Sequence, residues 1–399
     1  MKIIEVKDKR TNKQFYDIAR SLYKNDDTWV CPLDAEIEGM LNITNPKQKE
    51  IITTCKWILV NDQSETIGRI AAFINKNKAY KHSQPSGGAG FFECINDQQA
   101  ANMLFDTAKE WLAARGMEAM DAPVNPGENI VYWGLLVRGF THQGYGMPYN
   151  HSYYKELFEN YGFQNYFEQY SYHYDLSVPF PERHVKFSDH IASKPNYTFE
   201  HFKFKDKEKY LNDVVYIYNE VWSDFHEDYT PLTYEDMLIM FEDAKPILNE
   251  EFVWFAYDEG KPVAMVIVFP DANQILKKLN GRLHFWNKLR FLYYKKTKII
   301  TRARQLITGA IPSHQRTGII GPLFLTMADA LKKHGIKELE LSWVGDYNFT
   351  VTKMYSQFGA KEAKTHVTYR YLFDRNKPFQ RFTNEQSEKA KRFSQKEHA

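Results

Sequence analysis

The chain has 399 residues, with 52 Lys and Arg against 50 Asp and Glu and a formal net charge of +2 at pH 7. Charges this closely balanced exclude a global electrostatic pull toward nucleic acid or an acidic membrane. The length predicts two or three domains, and 26 Tyr and 28 Phe supply large apolar side chains to fill their cores.

The N-terminal stretch "MKIIEVKDKR" is charged from its start, so no secretory leader is expected. Cys31, Cys55 and Cys94 are widely spaced and form no CxxC pattern. That argues against a disulfide framework or metal site and predicts a reducing, cytoplasmic setting. No window approaches the roughly 18 apolar residues of a membrane span.

Next, "KWILVNDQSETIGRIAAFIN" reads as two strands around a polar turn. "GFFECIND" is a further strand, leading into a helix over "QQAANMLFDTAKEWLAARG" that carries Met103, Thr107/Ala108 and Trp111 at helical spacing and ends at Gly116. A short strand, "MEAMDAP", follows. The stretch Asp121–Tyr154 then interleaves Gly, Pro, Asn and aromatics, too long and too apolar for a simple connector. Within it Asn125, Asn129 and Asn150 read as turn closers. "YYKELFENYG" is a helix ending on Gly162, and an aromatic strand completes the first half.

The same order then recurs. "VWFAYDEGKPVAMVIVFP" gives two strands, and "LITGAIP" leads into a helix through "GPLFLTMADALKKHG" with Leu323/Phe324, Met327 and Leu331 at helical spacing. The strand "KELELSWV" and "VTKMYSQFGAKEAKTHVTYRYLF" (helix, Gly, long strand) follow. Trp57 to Trp254 is 197 residues, Gly116 to Gly335 is 219, and Gly162 to Gly359 is 197 again, so the second copy carries an insertion before its central helix. The reading is two tandem domains, 1–178 and 190–378. They are joined near the Pro- and Ser-rich "SVPFPERHVKFSDHIASKPN" and followed by a flexible tail, 379–399.

Between the strand "QLITGAIP" and its helix sits "SHQRTGII", Ser313 to Ile320. A Gly-containing basic loop running into a helix start suits phosphate, because the first helix amides lack partners and carry partial positive charge. Gly318 would let the backbone approach a pyrophosphate, and Arg316 adds charge. The equivalent loop of the first copy, "ECINDQQAANM", has no Gly and carries Glu93 and Asp97, which cap a helix well but repel a pyrophosphate. Only the second copy is expected to bind such a ligand.

The stretch from "HQRTGIIGPLFLTMADALKKHG" through "MYSQFGAKEA" resembles the core of the Gcn5-related N-acetyltransferase (GNAT) superfamily. With the first-half phrases "NDDTWVCPL" and "GRIAAFIN", the likeness extends from about Phe15 to Phe373, to a tandem acyltransferase group that includes bacterial ceramide synthases. The resemblance implies an α/β fold of two tandem acyl-CoA N-acyltransferase domains, each a mixed, mostly antiparallel sheet flanked by helices. It implies that an acetyl-CoA or longer acyl-CoA is gripped by Gln315, Arg316, Thr317, Gly318, Ile319, Gly321 and Asn348, without a metal. Ile320 departs from the Gly or Ala that the family prefers there, which shifts the loop toward Gly321. Tyr355 would protonate the leaving thiolate. Glu340 and Asp346 are the candidate bases. Glu338, Glu340 and Ser342 alternate opposite Leu339, Leu341 and Trp343, Asp346 lies just beyond, and His314 reads as a ligand-proximal or structural residue rather than a base. The acceptor is expected to be a primary amine, small or lipidic. Rival readings are an aminoacyl-tRNA-dependent transferase of the same paired fold and a non-catalytic binding protein.

The insertion Asn273–Gln305 holds ten Lys and Arg and no acid, with Leu283, Phe285, Trp286, Leu289 and Tyr293 between them. It reads as a peripheral contact for an anionic membrane. No nucleic-acid partner is expected, and the oligomeric state is left open.

Overall fold

The computed structural model describes residues 1–81, 84–126, 133–223 and 231–383. The chain opens with strand β1 (Lys2–Glu5) and helices α1 (Lys9–Leu22), α2 (Asp34–Leu41) and α3 (Pro46–Ile51). Then come β2 (Ile52–Val60), β3 (Thr66–Asn75), α4 (Lys76–Ala79), β4 (Ser86–Cys94), α5 (Gln98–Ala113) and β5 (Ala119–Ala122). The first half ends with β6 (Leu135–Arg138), α6 (Tyr154–Tyr161) and β7 (Gln164–Asp175).

The second half begins with α7 (Glu182–Ala192), β8 (Tyr197–His201), α8 (Lys207–Trp222) and α9 (Tyr234–Ala244). It continues through β9 (Val253–Asp258), β10 (Lys261–Pro270), α10 (Asn273–Leu276), α11 (Phe285–Lys296) and β11 (Arg302–Ala310). It closes with α12 (Ile320–Lys333), β12 (Glu338–Gly345), α13 (Phe349–Gln357) and β13 (Lys361–Leu372).

Two compact units result, and neither is one continuous stretch. The first comprises 1–169, 275–294 and 364–382; the second comprises 170–274, 295–363 and 383–399. The expected limits 1–178 and 190–378 differ from these because the chain exchanges material. Strand β13 begins in the second unit and from Lys364 belongs to the first, while β7 passes from the first into the second at Tyr170. Start and end of the expected tail also differ in kind. Phe382 packs on Tyr166 and Phe167 and its amide donates to the Tyr166 carbonyl (2.9 Å), whereas 384–399 lie outside the described residues.

In the first unit the strands run β1-β2-β3-β4-β5-β13, with β6 also on β13. In the second they run β8-β9-β10-β11-β12, with β7 beyond β12. Pairing is antiparallel except at β4·β5 and β11·β12, which are parallel. Each parallel pair is bridged by one amphipathic helix, α5 or α12, as a crossover requires. Helix α12 buries the predicted Leu323, Phe324, Met327 and Leu331. Helix α5 buries the predicted Ala108, but Leu104 and Leu112 in place of Met103 and Trp111. Trp111 stays at the rim, edge-on to Trp57 and under the Arg115 guanidinium.

Candidate active site

Strands β11 and β12 pair only from Arg302↔Glu338 to Gln305↔Leu341. Beyond Gln305, β11 continues to Ala310 bonded to β10 alone, and its residues change from buried to half-buried over Leu306–Gly309. The two parallel strands therefore open into a fork. Its β11 edge presents unpaired backbone groups that an elongated ligand with amide groups can satisfy. Gly309 has no side chain because α8 sits there: a Cβ would come within 3.2 Å of Val221 and Trp222.

The predicted loop lies directly beyond β11. His314 Nε2 meets Asp258 Oδ2 at 3.0 Å and its Nδ1 meets Ser313 Oγ at 2.9 Å, so both ring nitrogens are engaged within the protein. Asn196 and then His314 hydrogen-bond Asp258 and hold its carboxyl below the usual carboxylate range. Gln315 and Arg316 are exposed, while Thr317 is half-buried with its hydroxyl committed to the His314 carbonyl (2.8 Å). Ile319 is buried in the core, so only its backbone faces the loop. Helix α12 has no side-chain N-cap. The Gly321 amide donates to the Gly318 carbonyl (2.9 Å) and Pro322 has no N–H, so of its first three residues only Ile320 has an amide left for a ligand or water.

Gly318 has a role that differs from the expected one. Its φ of +81° demands glycine, and a Cβ there would lie 2.3 Å from the Phe187 ring. Gly321 is likewise covered, by Ser188 Oγ at 2.4 Å from a would-be Cβ. Both contacts come from α7, which lies in the stretch read from sequence as a linker. It packs because Ser188 and Ile191 are one turn apart and buried against α12, with His184 stacked on Phe358 after α13. The glycines make room for α7, and Gln315 and Arg316 are the loop's exposed side chains.

Tyr355 is buried on α13, edge-on to Tyr172. Gln305 Nε2 donates to its hydroxyl at 2.8 Å. Among the described residues no acceptor takes the hydroxyl proton, and the buried Gln305 Oε1 is without a partner. Burial raises the phenol's pKa well above its ordinary value, so Tyr355 holds its proton at neutral pH. A proton donor thus stands at the residue where the fork opens.

The candidate bases lie elsewhere. Glu340 is buried on β12 in register with Arg304, whose Nε donates to Ser342 Oγ at 2.5 Å. Because successive strand residues face opposite ways, Arg304, Glu340 and Ser342 occupy the sheet face away from Gln305 and Tyr355. Asp271, buried at the end of β10, accepts from Arg302 Nε and from the Asn273 amide, both at 3.1 Å. Burial pushes its carboxyl up to about 6 against the pull of Arg302, and Glu340 adds to the rise. Asp346 is half-buried in the turn before α13. Asn348 caps that helix, accepting from the Val351 amide at 3.3 Å.

The first unit has the same plan with the fork filled. Strands β4 and β5 pair only from Ser86↔Ala119 to Gly88↔Asp121. Beyond that, the Val124 amide bonds the Ala89 carbonyl (2.9 Å), and a Cβ on Gly90 would lie 1.9 Å from the Val124 carbonyl oxygen. The chain's own backbone occupies the gap. Asp97 caps α5 through the Ala100 amide (2.8 Å). Glu93 does not cap: it is buried, accepting from Tyr154 Oη (2.8 Å) and Arg69 (3.4 Å), and burial raises its pKa. Aligned on the left-handed glycines Gly162 and Gly359 that follow the two helices, Phe158 corresponds to Tyr355, so the first unit has a buried phenyl ring where the second has a phenol. Asn150 does not close a local turn but ties its segment to β6, accepting from the Leu136 amide (2.7 Å) and donating to its carbonyl (3.1 Å); Asn125 is buried, and Asn129 lies outside the described residues.

Gln305, Phe187 and the Val124 plug escape a reading of the sequence. Gln305 had a visible signal, as a polar residue inside the apolar strand "ARQLITGA". The other two are contacts between segments distant in the chain.

Residues 214–360 match the acetyltransferase (GNAT) family. The chain is 25% identical over 381 residues to bacterial ceramide synthase of Caulobacter vibrioides, covering 92% of this chain and 97% of that protein. It is 24% identical over 364 residues to protein YghO of Escherichia coli, covering 90% and 92%. The fold is similar to a tandem GNAT protein from the clavulanic acid biosynthesis pathway, with a TM-score of 0.57 at 11% identity over 95% of this chain and 99% of that one. A GCN5-related N-acetyltransferase from Sphaerobacter thermophilus gives 0.51 at 12% identity over 95% and 98%. No helix among the described residues is long and apolar enough to cross a membrane. Residues 214–360 thus match the GNAT family, and the chain as a whole is similar in fold to tandem GNAT proteins.

Proposed function

We propose that the second unit moves an acyl group from an acyl-coenzyme A to a primary amine by direct attack, and that the acceptor is a long-chain amino lipid. The observation that carries the reading is the protonated Tyr355 hydroxyl held by Gln305 where β11 and β12 part. The unpaired edge of β11 suits the amide groups of a pantetheine arm. The exposed Gln315 and Arg316, with the Ile320 amide at the start of α12, suit its phosphates.

In the transfer the amine nitrogen bonds the thioester carbonyl carbon and the C–S bond breaks. The thiolate takes the Tyr355 proton, and the amine proton leaves to solvent or a water chain. No carboxylate has been placed beside Tyr355, and Glu340 and Asp271 belong to the opposite face. The first unit, its fork plugged, holds no donor. The name of the Caulobacter relative supports a long-chain amine over a small polar one.

The test is to incubate the purified chain with acyl-coenzyme A donors from acetyl to long-chain and a panel of amines, and to follow thiol release. Transfer to a long-chain amine is the expected result. A chain that neither binds nor consumes any acyl-coenzyme A overturns the reading and leaves a different donor or a binding role.

A further inference from the structure

The basic insertion 273–305 divides into three parts once folded. Ile275, Leu276 and Leu279 are buried, and the following turn is tied into the first unit. The Asp34 amide donates to the Gly281 carbonyl (3.0 Å), and Arg282 pairs with Asp17 (3.0 Å). At the other end Arg302 pairs with Asp271 and Arg304 with Ser342. These cations are therefore committed, and only α11 and the turn after it remain for anything outside the protein.

Helix α11 is pinned on one side by Asn287, which is buried and donates to the Leu279 and Arg282 carbonyls (3.1 and 2.7 Å). On the other side its apolar side chains face outward. Phe285 is 67% exposed, Trp286 68%, Leu292 61% and Tyr293 64%, with Leu289 at 44%. At about 100° per residue these five fall in one sector about 120° wide, opposite Asn287. Lys288 and Arg290 flank that sector, one on each edge, and Lys296 lies within it at the C-terminal end. Among the described residues none of these three makes an ion pair.

We infer that α11 is an anchor that lies in the headgroup region of an anionic lipid surface. An outward apolar stripe with aromatic rings, bordered by unpaired cations, is the pattern of a helix lying flat in such an interface. A second copy of the chain is a poor occupant, because an isologous contact sets Lys288, Arg290 and Lys296 against themselves. Nucleic acid is also poorly matched, since the centre of the patch is apolar where phosphates would lie. The remainder of the chain carries 42 basic against 50 acidic residues, so anionic attraction is confined to this insertion. The inference stands apart from the transfer reaction.

The test is co-sedimentation of the full chain with phosphatidylcholine vesicles and with vesicles containing about 30% phosphatidylglycerol, at low and high salt. Binding to the anionic vesicles at least tenfold tighter, and weakened by salt, is expected. A triple variant Lys288→Gln, Arg290→Gln, Lys296→Gln should lose that preference by at least tenfold. Phe285→Ser with Trp286→Ser should lose binding at either composition, with circular dichroism and melting unchanged. The proposal fails if the parent ignores anionic vesicles at low salt, or if the variants bind as the parent does. It also fails if light scattering shows a dimer that Trp286→Ser dissolves, or if single-stranded RNA binds α11 more tightly than the vesicles do.

Discussion

Gln305 and Tyr355, fifty residues apart in the chain, meet at 2.8 Å where β11 and β12 cease to pair. The contact places a neutral phenol at the fork and orients it with a buried amide. Tyr355→Phe keeps the ring's packing and deletes the proton. Single-turnover thiol release should fall roughly 100-fold, with coenzyme A affinity and melting temperature little changed. Parent-like rates would reduce Tyr355 to a packing residue.

The loop separates ligand effects from folding effects. Arg316→Ala and Gln315→Ala alter exposed side chains, so they should weaken coenzyme A binding about tenfold in calorimetry without moving the melting temperature. Gly318→Ala should instead destabilise the fold by roughly 1–2 kcal/mol, because its φ of +81° and the Phe187 ring both oppose a Cβ. Adding Phe187→Ala should recover only part of that loss. Full recovery would mean that the backbone conformation costs nothing.

The plugged first fork sets a stoichiometry. Calorimetry should find one coenzyme A site per chain, and Arg316→Ala combined with Gln315→Ala should weaken that single site without uncovering a second. Asp97→Ala, which removes the cap of α5, should cost about 1 kcal/mol in urea unfolding and leave coenzyme A affinity unchanged. Two equivalent sites would contradict the role given to Val124.

Asp271 makes stability depend on pH in an unusual direction. Its carboxyl is raised to about 6 in the folded protein, so between pH 4 and 6 the native state keeps a proton that the unfolded chain gives up. Its contribution is fully present below about pH 4 and is lost as pH rises through 6, an effect on the order of 2 kcal/mol. In thermal melts from pH 4 to 7, the parent should therefore lose stability relative to Asp271→Asn. A constant difference across that range would show that the carboxyl is not shifted.

Much of this architecture was legible because helices and hairpins are written locally. The stripe of Leu323, Phe324, Met327 and Leu331, the helix-ending glycines Gly162 and Gly359, and the Asp97 cap of α5 are all patterns within a turn or two. What was not legible depends on partners far along the chain. Nothing in "PERHVKFSDHIA" announces that Phe187 will rest on Gly318, and alternation in "KELELSW" does not say which face meets α13. Gly90 shows why: its need for glycine comes from Val124, 34 residues later. The division of the chain into units escaped for the same reason, since the pairing of β13 with β5 spans nearly 250 residues.

That pairing has a consequence for synthesis. Strand β5 finds its neighbour when Tyr369 meets Ala122, and Arg370 clasps Asp121 at 2.6 and 2.8 Å. At about 5–20 residues per second, the ribosome needs roughly 10–50 s after making β5 before it delivers that partner. Throughout this interval the nascent first half carries an open sheet edge, available to any extended segment nearby. Release of a chain that stops before Lys364 should therefore yield aggregates rather than a folded half. A chaperone that shields sheet edges should raise the yield of full-length protein more than slowing the ribosome does.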